Sequence, residues 1–234
     1  MAQAHTFKSF DDEIIGLRGL VAEMGGLAEA AVNEGMEALV LGATDLADKI
    51  VARDKRIDLL ELKIEQLAVR IIAMRAPKAD DLRETIAALK IAVDIERIGD
   101  HAKNIAKRTG RIEGRRHFEP LTLLPAMAEL ASAMVHDVLT AYAAHDPDLA
   151  VDVVNRDAKV DTFYNSILRN LITFMIENPS TISSAAELLT VARNVERIGD
   201  HATNIAEMVY YIATGDYLAD APEPAAIRSR WRQG

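Results

Sequence analysis

The stretch from Asp94 to Ala106, DIERIGDHAKNIA, returns 100 residues later as NVERIGDHATNIA, Asn194 to Ala206, with ten of thirteen positions identical. A match of that length says that one structural unit is built twice within the 234 residues, so any fold must repeat itself inside the chain. Each unit also carries the same polar groups. The function is therefore to be sought in what those groups hold.

Periodicity makes the unit helical. Half of the residues are apolar and 5% are aromatic, with Ala, Leu, Glu, Arg and Met, all good helix formers, well represented. No alternating run reads as a strand. A first helix is predicted from about Asp11 to Gly42, where Ile14, Leu17, Val21, Met24, Ala28, Ala31 and Ala38 form a heptad seam. A second runs to about Met74 with Ile50, Ile57, Leu60, Ile64, Leu67 and Ile71 inward, and Pro77 breaks it. Asp81 followed by Glu84 resembles a capping box opening a third helix, whose seam is Ile91, Ile95, Ile98, Ala102 and Ile105 and whose end lies near Gly110.

The second half repeats the plan. Leu124, Met127, Ala131, Met134, Val138 and Ala141 mark a fourth helix, Pro147 to Glu177 a fifth, and about Thr181 to Thr214 a sixth closed by Gly215. The predicted fold is all-α: two tandem, pseudo-symmetric three-helix antiparallel bundles, residues 1–112 and 121–216. They are joined by a Gly-, Pro- and charge-rich linker, 113–120, and followed by a flexible tail, 217–234. A helix of about 30 residues is about 45 Å long, so the bundles are elongated.

Several function classes drop out. Cysteine is absent, which removes disulfides, thiolate catalysis and cysteine-held zinc or iron–sulfur centres. A net charge of -9 argues against a nucleic-acid binder, which needs surplus Lys and Arg on one face. The start does not read as a secretory signal, and no run of about 18 apolar residues is present. A cytoplasmic location is expected. No Ser, His and Asp set, GxxxxGK[ST] loop or GxGxxG turn suggests catalysis, and no enzyme is expected.

The repeated stretch places Glu96, Asp100 and Asn104 on one helical stripe, matched by Glu196, Asp200 and Asn204. With Ile95 at heptad position a, Glu96 falls at b and Asp100 at f, on the bundle's outside. The second helix carries Asp54 and Asp58, the fifth Asp157 and Asp161, each pair at i and i+4 behind an arginine, Arg53 or Arg156. A hairpin turning near Pro77 levels Asp54 with Asp100 or His101, and Asp58 with Glu96. A turn near Pro179 levels Asp157 with Asp200 and Asp161 with Glu196. Gly99 and Gly199 lie on the same flank, where a missing side chain opens room.

Four carboxylates per bundle repel unless cations intervene, and an oxygen-only set suits Mg, Mn, Ca or non-haem Fe. One surface metal site per bundle is predicted. The blander reading is a solvated network in which Arg53, Arg56, Arg97 and Lys103 neutralise the acids. His101 and His201 turn away from the stripe and read as structural. A ferritin-like di-iron core is disfavoured because neither Glu96 nor Glu196 has a His three residues on.

These residues resemble the PhoU family: ERIGDHAxNIA on the third and sixth helices and RDxxxD on the second and fifth, across nearly the whole chain. The resemblance implies a non-enzymatic regulator that restrains phosphate uptake and the phosphate-starvation response. It would act as a cytoplasmic adaptor between the phosphate ABC transporter's ATPase subunit and the phosphate-sensing histidine kinase, reaching the membrane only through those partners. It further implies a homodimer and iron or zinc held by Asp54, Asp58, Glu96 and Asp100, then Asp157, Asp161, Glu196 and Asp200, with Asn104 and Asn204 extending the stripe. Other functional readings of the same acids are a metal-dependent phosphohydrolase and a metal-free helical adaptor. The copies differ where Glu61 and Glu65 align with Tyr164 and Leu168.

Overall fold

The structure is a computed structural model in which residues 2–112 and 122–218 are described, with side chains from residue 10 onward; among the described residues it has six α-helices and a short 3-10 turn before the last of them. The helices are α1 (Ala2–Leu41), α2 (Thr44–Arg75), α3 (Ala79–Ala106), α4 (Leu124–Ala144), α5 (Pro147–Glu177) and α6 (Ile182–Thr214), with the 3-10 turn at Pro179–Thr181. Among the described residues there is no strand, and no helix is long and apolar enough to cross a membrane. The all-α expectation of six helices in two repeats holds. The predicted linker, 113–120, lies outside the described residues, as does the predicted tail beyond Leu218. Its first two residues belong to the second bundle: Tyr217 stacks on Tyr211, with ring centroids 4.7 Å apart, and Leu218 is buried.

The seams bury as the heptads require. Ile14, Leu17, Val21, Met24 and Ala28 of α1 meet Ile57, Leu60, Ile64 and Ile71 of α2 and Ile91, Ile95, Ile98 and Ile105 of α3 in a single core. Helix ends follow local chemistry. Asp146 caps α5 by accepting from the amides of Asp148 and Leu149, both at 3.0 Å, Pro147 starts the helix, and Gly215 ends α6 at φ 85°.

Two boundaries differ from the sequence reading. Helix α1 starts at Ala2, well before Asp11, because no residue in that stretch breaks the pattern. Helix α3 opens at Ala79 behind Lys78 with no side-chain cap, so the capping box is not formed. Its intended partner Glu84 is buried instead and takes the fork of Arg18 from α1, with Arg18 Nη2 2.7 Å from Glu84 Oε2 and Nε on Oε1. His145 Nε2 approaches the same carboxylate at 3.7 Å from the end of α4.

The bundles are fused, which periodicity alone did not reveal. Helix α3 packs on α6 and α1 on α4, and one apolar core runs through both repeats. Across the α3–α6 seam His101 meets Asn194, His201 meets Asp94, and Arg108 meets Glu187. A contact set in which one number climbs as the other falls means that the two helices are antiparallel. The pseudo-twofold axis passes between His101 and His201, whose rings stack with centroids 5.5 Å apart. Helices α3 and α6 are therefore central, and α2 and α5 are the outer layer.

Because Glu84 holds Arg18 rather than a helix terminus, Glu84→Ala should cost about 1–3 kcal/mol, whereas Asp81→Ala should fall within about 0.5 kcal/mol of the parent. Urea unfolding followed by far-ultraviolet circular dichroism checks this. The reverse order of costs would restore the capping box.

Candidate metal centre

Each acid pair arises from one turn of helix. Asp54 and Asp58 sit four residues apart on α2, and the inward seam around Ile57 carries Asp54 toward α3 and leaves Asp58 outside. Asp54 is 8% exposed and its counterpart Asp157 4%, so the first acid of each pair is buried where the outer helix meets α3 or α6, and the stripe that the heptad phase put on the bundle's outside is itself partly covered. Glu96, Asp100, Glu196 and Asp200 are half-buried, and Asp58 and Asp161 are exposed. The acids line a groove between the outer and central helices of each repeat.

The glycines shape that groove by close approach. A Cβ on Gly99 would stand 2.8 Å from Ile57 Cδ1 and 3.8 Å from Asp54 Oδ1, and one on Gly199 3.3 Å from Asp157 Oδ1. The space gained is taken by Ile57, with Asp54 behind it, in the first repeat and by Asp157 and Val160 in the second. This offsets the cost of roughly 1 kcal/mol that a helix-interior glycine carries.

The hairpin levels are as predicted. Glu96 is held above the usual carboxylate range by burial and by the charges of Asp100, Glu61 and Asp58. Glu196 is raised likewise by burial, Asp200 and Asp161. Asp58 is raised by burial, Asp54 and Asp100, and Glu61 by burial, Asp58 and Glu65. Neighbouring carboxylates thus disfavour the ionised form of Asp58, Glu61 and Glu96 in the first cluster and of Glu196 in the second.

The cations divide unevenly. Arg53 turns to Glu34 of α1, with Nη1 3.2 Å from Oε1, and Arg56 to Glu23 at 2.6 Å. Arg156 turns to Asp137 of α4 at 2.6 Å, and its Nε lies 3.1 Å from Asp152. The arginine of each RD pair therefore ties the outer helix to the first helix of its repeat, away from the acids. Arg97 lies beside Glu96 at 3.5 Å and Asp100 at 3.9 Å. Lys103 reaches into the first groove and donates to both Asp54 and Asp100. Burial alone would raise Asp100, but the hydrogen bond and charge of Lys103, aided by Arg97, hold it below its ordinary value. Burial likewise works against the Lys103 ammonium, and its bonds to Asp100 and Asp54 outweigh that and raise it.

The second groove has no such lysine. Thr203 stands at the matching position, and its hydroxyl donates to the main-chain carbonyl of Asp200 at 2.7 Å. Where the first repeat has Glu61, the second has Tyr164, which stacks under Arg193 at 5.9 Å and accepts from it at 3.4 Å. Arg193 Nε lies 3.8 Å from Glu196.

The stripe residues Asn104 and Asn204 stay apart from the acids' contacts. Asn204 Nδ2 donates to Asp94 across the seam at 3.1 Å, and the Asn104 carbonyl accepts from Arg108 at 2.8 Å. His101 and His201 belong to the seam, as their heptad position predicted. Asn194 donates its amide nitrogen to the Thr190 carbonyl at 2.7 Å, which leaves its oxygen for His101 Nδ1 at 2.9 Å. His101 Nδ1 is therefore the donor. Burial holds His101 below the ordinary histidine range. The sequence reading missed this seam role of Asp94 and Asn194, although position 94/194 is one of only three that differ between the copies.

Among the described residues no three His, Asp or Glu groups converge on one point in the manner of a preformed cage. A hard cation would fit the chemistry of these mutually repelling oxygen donors and would cross-link α2 to α3, or α5 to α6. In the first groove the ammonium of Lys103 already spans the inner pair.

Comparison with known proteins agrees with the duplication. The PhoU domain model matches twice, at residues 21–109 and 124–209. A Zymomonas mobilis protein named phosphate-specific transport system accessory protein PhoU homolog is 50% identical over 216 residues, 92% of this chain and 91% of its own length. The Escherichia coli phosphate-specific transport system accessory protein PhoU is 36% identical, over 90% of this chain and 88% of its own. The crystal structure of PhoU from Pseudomonas aeruginosa superposes with a TM-score of 0.84 at 37% identity, covering 88% of this chain and all of that one. A duplicated three-helix unit, the ERIGDHAxNIA and RDxxxD signatures and these matches agree that the chain belongs to the PhoU family.

Proposed function

We propose that this protein is a phosphate-transport accessory regulator that restrains phosphate uptake and the phosphate-starvation response, without catalysing a reaction itself. The observation that carries this reading is the match of both repeats to the PhoU domain, together with relatives named for a phosphate-specific transport system. The same reading extends to a cytoplasmic adaptor between the transporter's ATPase subunit and the phosphate-sensing histidine kinase, working as a homodimer. No helix capable of spanning a membrane occurs among the described residues, so membrane contact would come through the partners.

Metal binding is part of the proposal. Asp157, Asp161, Glu196 and Asp200 would hold the ion in the second repeat, and Asp54, Asp58, Glu96 and Asp100 in the first, with iron, zinc, manganese or magnesium all compatible with oxygen donors. A bound ion supplies positive charge to acids that otherwise repel. The chain's own contribution is to orient those acids through helix register, the close approach at Gly99 and Gly199, and the arginines that fix α2 to α1 and α5 to α4. Support comes from the mutual elevation of Glu96, Asp58 and Glu61, and of Glu196 beside Asp200 and Asp161.

Deleting the gene should switch on a starvation-responsive reporter in phosphate-rich medium, and reintroducing it should restore repression. Continued repression in the deletion strain overturns the regulatory role. Metal uptake should also depend on pH with a defined sign. Protons compete with metal for carboxylates, and Glu96, Glu196 and Asp58 hold theirs to higher pH than free side chains do. Affinity for Mn2+ should therefore weaken as pH falls, beginning above the range in which an ordinary carboxylate titrates. Calorimetry across a pH series checks it, and affinity that stays flat through that range sinks the carboxylate site.

A further inference from the structure

We infer that the outward face of α2 is the surface on which a second copy of this chain docks, the two α2 helices lying parallel and in register about a twofold axis. This rests on the homodimer reading above and deepens it by naming the surface. Helix α2 belongs to the outer layer and turns Ile57, Leu60, Ile64 and Ile71 toward α1 and α3. On its opposite side Leu59, Leu62, Gln66, Val69 and Ala73 follow at steps of three, four, three and four residues. Leu59 is 59% exposed, Leu62 48% and Val69 56%. A lone surface leucine needs no explanation, but a row at heptad spacing is the pattern of a helix that packs on another helix.

The fold does not require this row. Helix α5 has the same place in the second repeat, and counting from Asp157 as α2 is counted from Asp54 puts Thr162, Asn165, Arg169, Ile172 and Ile176 at the matching positions. Polar side chains thus stand where α2 has Leu59 and Leu62, and apolar ones return only at the far end of the helix. The Thr162 hydroxyl is turned back onto the Ala158 carbonyl of its own helix at 2.8 Å. One design of bundle therefore tolerates a polar outer face, so the leucines of α2 are not there for the core.

Charge identifies what covers them. With Leu59 and Gln66 at heptad position a, Asp58 and Glu65 lie at g on one flank and Lys63 and Arg70 at e on the other, all exposed. Arg70 Nε is 3.8 Å from Glu13 of α1, and its side chain stays open to solvent. In a parallel pair each g position faces the e position of the next heptad on the other helix, so Asp58 meets the partner's Lys63 and Glu65 meets the partner's Arg70, each twice by symmetry. An antiparallel pair would set acid against acid and base against base. In register, Gln66 meets its own counterpart at the axis, where two amides donate and accept reciprocally, and one polar a position of this kind fixes register. Lys55, one step before Leu59 on the same row, would face another lysine and ends the seam. The acidic flank disfavours an anionic lipid surface. Ser166, Leu168 and Thr173 replace Lys63, Glu65 and Arg70 on α5, so the pairing cannot form there. Both helices are already folded, so a seam of about 21 Å forms without the cost of nucleating a helix.

The chain has no cysteine, so one introduced thiol reports the contact without background. In the full-length protein with EDTA present, Gln66→Cys should become a disulfide-linked dimer on mild oxidation, and Arg169→Cys, at the matching place on α5, should not. Analytical ultracentrifugation of the reduced proteins should show a wild-type dimer whose dissociation constant rises on the order of tenfold or more in Leu62→Glu, as expected when an unpaired charge enters the centre of an interface. Glu65→Arg and Arg70→Glu should each weaken the dimer and the two together should recover it, an outcome that misfolding does not produce. A double variant no better than either single one overturns the parallel register. A dimer that is unchanged by Leu62→Glu and not captured through Gln66→Cys overturns this surface while leaving the homodimer reading intact. Wild type that stays monomeric at every concentration overturns both.

Discussion

The antiparallel packing of α3 on α6 is the constraint on which the remainder of the structure depends. It puts His101 against His201 at the pseudo-twofold axis and makes the third helix of each repeat central. The place of both acid clusters follows from that packing. A central helix has one face for its own bundle and one for the seam, so its polar stripe is left only the flank facing the outer helix. The acids of Glu96 and Asp100, and of Glu196 and Asp200, thus emerge in grooves beside α2 and α5, one in each repeat.

Duplication supplied identical grooves, and the seam itself shows how the copies have since been distinguished. Asp94 accepts from both His201 and Asn204, while its counterpart Asn194 bonds His101 and is pinned by the Thr190 carbonyl. One half of the seam therefore carries a carboxylate and the other a neutral amide. Lys103 and Thr203 repeat that pattern inside the grooves. Of the three differences within the thirteen-residue signature, two exchange a charged residue for a neutral one, and both occur at contacts between helices. The backbone stays symmetric because the isoleucine seams match, and the electrostatics do not.

Much of this was legible in the sequence. Heptad phase identified the buried seams, hairpin length levelled Asp58 with Glu96 and Asp161 with Glu196, and position g put the histidines away from the acids. What escaped was depth and the second face of α3. With Ile57 at heptad position a, Asp54 falls at e and reads as a flank, but a groove is as deep as the neighbouring helix allows, and Gly99 lets α2 and α3 come close enough to cover it. The seam was signalled by adjacent buried pairs, Ala87 with Ala88, Ile91 with Ala92 and Ile98 with Gly99, which a helix covered on one side alone does not need. Glu84 was misread because capping boxes are recognised from local spacing, whereas its partner Arg18 is 66 residues away.

A buried acid cluster in a folded protein has two ways to be neutralised, and they differ in how they respond to the surroundings. A lysine on the next helical turn is present at a fixed effective concentration, so the α2–α3 cross-link through Asp54, Lys103 and Asp100 is set by the fold. An ion from solution stabilises by an amount that grows with its free concentration relative to its dissociation constant. The shared core and the α3–α6 seam hold both halves in one body. A change of spacing in either outer groove would be borne by a central helix whose other face is fixed against the opposite repeat.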